Sequence, residues 1–188
     1  MRVLLSKGGL ATIEFAIVAP FLVLIMLAAA DVSFFLRAKL RLDTAATSLA
    51  QVTTQYTQLY AGDFTNLFKI SQLAAGSVAV SGQFGATIIS GITNPAGAQT
   101  IAWQQISPSS TFVSAIGLKG AVPLLPHNYK LPIGATLVVT EVFSNLTPWV
   151  FAATVMPVAT APFGSVSSLA LFQPRLAPLD SITLGSRP

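Results

Sequence analysis

Leu10-Ala11-Thr12-Ile13-Glu14-Phe15-Ala16-Ile17-Val18-Ala19-Pro20 continues through Phe21-Leu22-Val23-Leu24-Ile25-Met26-Leu27 to Ala28-Ala29-Ala30, a run of 21 residues whose only charge is Glu14. As a helix rising ~1.5 Å per residue it spans about 31 Å, the thickness of a hydrocarbon core of ~30 Å. Pro20 removes one backbone hydrogen bond inside the run, so the helix is expected to kink there and continue, as membrane helices tolerate. Arg2 and Lys7 precede the run, and Arg37, Lys39 and Arg41 follow it, as membrane-flanking charges do. The two flanks are of similar weight, so charge counting alone does not orient the segment.

Working outward, the helical pattern persists beyond Asp31. Leu42, Ala45, Leu49, Val52, Tyr56 and Leu59 recur at three- and four-residue spacing, which predicts an amphipathic extension over residues 31–61. A short coiled-coil seam is the competing reading of this stripe. Gly62 closes the pattern, and Asp63 is the expected N-cap of a second helix with Phe64, Leu67, Phe68 and Leu73 on its apolar face, ending at Gly76.

Past Gly76 the period changes. Val78 and Val80, Ala86 and Ile88, and later Leu137, Val139 and Glu141 alternate with smaller or polar residues as strands do. Gly82, Gly85, Gly91 and Asn94-Pro95 read as turns, and the Gly- and Pro-rich stretches 117–134 and 156–164 read as loops. The expected architecture is α+β: a long, kinked N-terminal transmembrane helix continuing into a small domain with a second helix and a short antiparallel sheet. The divisions are residues 1–9, 10–30, 31–61 and 62–188.

Composition narrows the function. The 188 residues carry 53% hydrophobic and 9% charged side chains, with a mean hydropathy of +0.71, which is unlike a disordered chain. Absence of Cys removes disulfides, thiolate metal sites and cysteine nucleophiles. The net charge of +4 does not make a nucleic-acid surface, because beyond Thr44 the cations are spread singly as Lys69, Lys119, Lys130, Arg175 and Arg187. Catalysis has little to build on: His127 is the sole histidine and lies in a loop, and the distal carboxylates are Asp63, Glu141 and Asp180. No catalytic residues, metal site or cofactor are expected. Glu141, on an apolar strand, needs a partner if buried, and Arg175 is the candidate.

The leader Met1-Arg2-Val3-Leu4-Leu5-Ser6-Lys7-Gly8-Gly9 followed by Leu10-Ala11-Thr12-Ile13-Glu14-Phe15 resembles the leader of type IV prepilins and pseudopilins. The longer string Ala11 to Pro20, with Glu-Phe-Ala followed by Pro, resembles the TadE and TadG proteins of the tight-adherence (Tad, Flp) pilus system. Distal features are similar more patchily: Trp103 after a turn, Leu131-Pro132 and Gly134 before a Glu-bearing strand, Pro148, and Pro174-Arg175.

The resemblance implies cleavage between Gly9 and Leu10 by an aspartyl prepilin peptidase, leaving Glu14 as the fifth mature residue and the assembly carboxylate. A carboxylate at mid-membrane costs about 2.5 to 3.5 kcal/mol on insertion scales and needs a partner. The ammonium freed at Leu10, with a reference pKa of about 7.7 to 8, is a natural one, either in a neighbouring subunit or one helical turn away in the same chain. The implied partners are the prepilin peptidase, the Tad inner-membrane assembly platform, the major Flp pilin, other pseudopilins and the lipid bilayer. The implied location is the bacterial inner membrane with a cytoplasmic N-terminus and an extracytoplasmic C-terminal domain, or the surface pilus itself. Two rivals stand beside it: a signal peptide cleaved after Ala30 that releases a soluble binding protein, and an unprocessed single-span anchor.

Overall fold

The computed structural model describes residues 7–146 and 165–183, with side chains from Thr12 onward. The elements in order are helix α1 (Lys7–Thr53), strand β1 (Leu59–Tyr60), helix α2 (Asp63–Ala75), strands β2 (Gly85–Thr93), β3 (Thr100–Ile106), β4 (Thr136–Asn145), β5 (Ser165–Phe172) and β6 (Ile182–Thr183). The expected loop segment 156–164, together with Pro148, lies outside the described residues. Two units divide the chain, and the described part of the first is α1 up to Leu36. There the helix is continuous through Pro20, and Ser33 Oγ donates back to the Ala29 carbonyl at 2.8 Å.

The second unit begins at Arg37. Along its part of α1, Ala38, Leu42, Ala45, Ala46, Leu49 and Ala50 are buried, a stripe at helical period. Four of the six are alanines, which let the helix axis come close to what it packs against. The helix stops at Thr53 rather than reaching residue 61. Tyr56 and Leu59, read as its last two apolar positions, follow a turn instead, and Leu59 starts β1, which pairs in parallel with β6. That pairing ties the chain's end to the linker between the two helices.

Helix α2 ends before Gly76 as expected, but its start differs by one residue: Gly62, with no side-chain cap bond, takes the N-cap position expected of Asp63, which is the first helical residue. The Asp63 carboxylate accepts the Tyr60 N–H at 3.1 Å. The buried face is Phe64, Leu67, Ser71 and Ala75. Leu73 is 80% exposed, because Ser71 takes the inward position and bonds the Thr87 hydroxyl at 2.8 Å.

Strands β3, β2, β4 and β5, in that spatial order, form one antiparallel sheet. Val78 and Val80 precede it without forming a strand, yet both are buried, and the Val80 carbonyl accepts from Thr87 Oγ1 at 2.9 Å. Gly91 is not a turn but the middle of β2, opposite Trp103. A Cβ on Gly91 would stand 2.1 Å from Trp103 Nε1. The indole fills that space and donates to the Leu179 carbonyl at 2.8 Å.

Alternation along β2 and β4, together with the β2–β3 register shift between Gly91 and Ile92 that lets Ile101 and Trp103 face opposite sides, separates two cores. On one face Ile89, Trp103 and Val138 pack with Leu49, Leu59, Phe64, Leu67 and Leu179, so the two helices cover it. On the other, Ile92, Ile101, Leu137 and Val139 pack with Ile116, Leu125 and Leu131. The stretch 107–135 is largely irregular, as expected for its part 117–134, with one 3-10 turn at Pro126–Asn128. It is the cover of the second sheet face.

Candidate membrane and assembly helix

From Thr12 to Met26 the side chains of α1 present a largely exposed apolar surface among the described residues. Phe15, Phe21, Ile25 and Met26 are each more than three-fifths exposed, and none of the most apolar window of the helix is buried. This helix alone among the described ones is long and apolar enough to cross a membrane. Glu14 is exposed on it, one residue before Phe15. Gly9 and Leu10 sit in its first turns, after Lys7 begins the helix, and Pro20 lies within it. Arg2 falls outside the described residues.

The cations that follow the apolar run do more than flank it. Lys39 Nζ lies 3.0 Å from Asp43 Oδ1, one helical turn on, and donates to the Ser167 carbonyl at 2.6 Å. Ser168 Oγ donates to Asp43 Oδ1 at 2.5 Å. Arg41 Nη1 reaches Ser77 Oγ just beyond α2. Lys39 and Asp43 thus fasten α1 to the start of β5, and Arg41 fastens it to the end of α2. Partial burial pushes the Asp43 carboxyl up, but the Ser168 hydroxyl and the Lys39 ammonium outweigh it and hold the group below the usual carboxylate range. The Lys39–Asp43 spacing of four residues was readable in the sequence; the β5 partners were not. Arg37 is exposed.

The distal carboxylate is placed differently from expectation. Glu141 is 1% exposed, on the sheet face covered by 107–135. Its Oε1 accepts the Ala115 N–H at 2.8 Å, Oε2 accepts from Ser114 Oγ, and the Ile116 N–H also points to the carboxylate. Arg175 is exposed, and its backbone N–H bonds the Thr54 carbonyl at 3.3 Å. Among the described residues the structure does not bring Glu141 and Arg175 together, because three donors from one short stretch satisfy the carboxylate without a cation. Desolvation nevertheless pushes the Glu141 pKa up, against the pull of those hydrogen bonds. No sequence signal marked Ser114 to Ile116 as the partner, since the contact joins a loop to a strand 25 residues later.

The described residues comprise an apolar helix with mostly exposed side chains up to Leu36 and, from Arg37, an α+β domain whose sheet is covered on both faces. Residues 9–51 match the family model described as TadE-like protein. Through this segment, which is nearly the whole of α1, the chain is similar to that family. No curated protein and no solved structure matches the chain, so the domain of β2 to β5 is described by its own geometry. Among the described residues no cluster of His, Asp or Glu could hold a metal ion.

Proposed function

We propose that the chain is a structural minor pilin or pseudopilin of the Tad (Flp) pilus. It is stored in the inner membrane through residues 10–30 and packs by that same helix into the surface filament or its base. The observation that carries the reading is the coincidence of the TadE-like match over residues 9–51 with a helix whose apolar side chains are exposed and whose sole carboxylate in the run is Glu14. An exposed apolar helix needs lipid or other helices around it. A prepilin peptidase cuts after Gly9, and the ammonium of Leu10 becomes the counter-ion of Glu14, so that a neighbour's carboxylate and amine are recognised together. The N-terminus lies in the cytoplasm and the domain outside it. The chain turns over no substrate and uses no cofactor; its partners are the peptidase, the assembly platform, the major pilin and fellow pseudopilins.

Intact mass and terminal peptide sequencing of protein extracted from the membranes of its native host test this. A mature start at Leu10 is the expected result, and Gly9→Arg abolishes it. A start at Asp31 would instead make the apolar run a discarded signal peptide. A start at Met1 would make it an unprocessed anchor.

A further inference from the structure

We propose that the sheet continues from one copy of this chain into the next, head to tail, by pairing the outer edge of β5 in one copy with the outer edge of β3 in a second. These two strands end the sheet, and among the described residues neither pairs with another strand on its outer side. Two bonds fix the backbone directions. Asn145 N–H bonds the Phe84 carbonyl at 2.7 Å, so the odd-numbered residues of β4 turn their N–H and C=O to β2 and the even-numbered ones turn theirs to β5. With Thr140 opposite Ala170 and Val142 opposite Ser168, it is Ser167, Leu169 and Leu171 whose backbone groups point outward. Ser107 N–H bonds the Thr87 carbonyl at 2.8 Å, so on β3 Gln105 and Trp103 turn to β2 and Gln104 and Ile106 point outward. Neither strand carries a charge or a proline, the devices that keep edges from pairing.

Part of each edge is closed, and what stays open matches. Lys39 Nζ takes the Ser167 carbonyl at 2.6 Å. On β3, Gly120 N–H and the Ala121 carbonyl bond Ile101 at 2.8 and 3.1 Å, beyond the register shift. Among the described residues, the outward backbone groups of Leu169 and Leu171 on one edge and of Gln104 and Ile106 on the other are left for a further strand. Direction selects a second copy as that strand's source. The four strands alternate in sense, so β3 runs opposite to β5. A copy brought to β5 in the same orientation therefore presents its β3 antiparallel, as in every other ladder of this sheet. The register sets Leu169 opposite Ile106 and Leu171 opposite Gln104, each pair exchanging two backbone bonds. All four side chains then share the face covered by 107–135, where Leu169 and Leu171 pack on the core and Gln104 bonds the Gly117 carbonyl. Ile106, 38% exposed, gains Leu169 as an apolar neighbour. Each added copy leaves a new β5 edge, so the contact repeats without closing. It uses no residue of 10–30 and does not depend on cleavage after Gly9.

The chain has no Cys, so single thiols report the contact. Full-length Ile106→Cys and Leu169→Cys, carrying different tags, are co-expressed in the native host, and the isolated membranes are mildly oxidised. The paired Cα atoms stand about 5.5 Å apart, within disulfide reach. A mixed disulfide joining the two tags is expected at about tenfold or more above that of Ile106→Cys with Leu73→Cys, Leu73 being 80% exposed on α2. Leu171→Pro in the Leu169→Cys chain removes an outward N–H and spares the ladder to β4. It is expected to cut the mixed product about tenfold with an unchanged circular dichroism melt, and Gln104→Pro in the Ile106→Cys chain tests the same bond from the other strand. A mixed product no greater than the Leu73→Cys control overturns the proposal. So does one that persists in a proline variant that melts normally. Leu169→Cys alone giving as much product makes the contact a two-fold pairing of β5 with β5, which also overturns it.

Discussion

Glu141 and Glu14 are both carboxylates in apolar stretches, and their surroundings set them apart. Glu141 is enclosed by Ser114, Ala115 and Ile116 and clasps the irregular cover to the sheet. Glu141→Ala leaves those donors without their acceptor and is expected to cost about 1–3 kcal/mol in denaturant unfolding. Arg175→Ala, by contrast, is expected to leave stability within experimental error, since among the described residues only its backbone N–H is engaged. Glu14 stands exposed on its helix, so its substitution should leave the domain intact. Glu14→Ala is expected to be cleaved normally yet to lower the number of surface pili counted by electron microscopy; unchanged pilus number would refute the recruitment role. Gly91 is the third decisive residue. Gly91→Ala drives a methyl into the Trp103 indole and is expected to destabilise the fold by about 1–3 kcal/mol, with a changed tryptophan emission spectrum reporting the displaced ring.

At the scale of elements, α1 is one continuous helix with two surfaces of different character. Up to Leu36 most of its large apolar side chains are exposed, and from Ala38 its alanine-rich stripe is buried. The stripe works because small side chains bring the helix close to the sheet, where Lys39 and Asp43 reach Ser167 and Ser168. Ala46→Leu is expected to overpack this contact by about 1–3 kcal/mol, read as a lowered midpoint in chemical denaturation. Leu40→Ala, at a position 65% exposed, should not move that midpoint. The period-3.6 pattern announced the stripe, but Tyr56 and Leu59 continued it in sequence only. Pairing of β1 with β6 claims Leu59, a demand from a strand more than a hundred residues away. Likewise Leu73 fits the apolar face of α2 by spacing, and the Ser71–Thr87 bond turns a different face inward.

For the whole molecule, two carboxylates give the domain opposing responses to pH. Asp43 is held below its ordinary pKa, so its contribution is present above the unfolded value and is lost as pH falls through the folded one. Glu141 is held above its ordinary pKa, so its contribution is complete below the unfolded value and is lost as pH rises through the folded one. Unfolding curves across the acidic range are therefore expected to fall off on acidification less steeply in Asp43→Asn. In Glu141→Gln the loss of stability on raising pH past the carboxylate range should shrink. If the slopes of both variants match the parent, these two side chains do not govern the response. The linear pattern by itself determined the α+β class, the apolar run with Glu14 and Pro20, the end of α2, and the similarity of residues 9–51 to the TadE-like family, because each is written in neighbours a few residues apart. Only the tertiary structure decided that Lys39 and Arg41 clamp α1 to β5 and α2, that Glu141 is satisfied by a loop rather than by Arg175, and that Gly91 yields its space to Trp103. Those outcomes depend on which strands lie side by side, and that is settled by burying two sheet faces at once, a condition no local stretch of sequence contains.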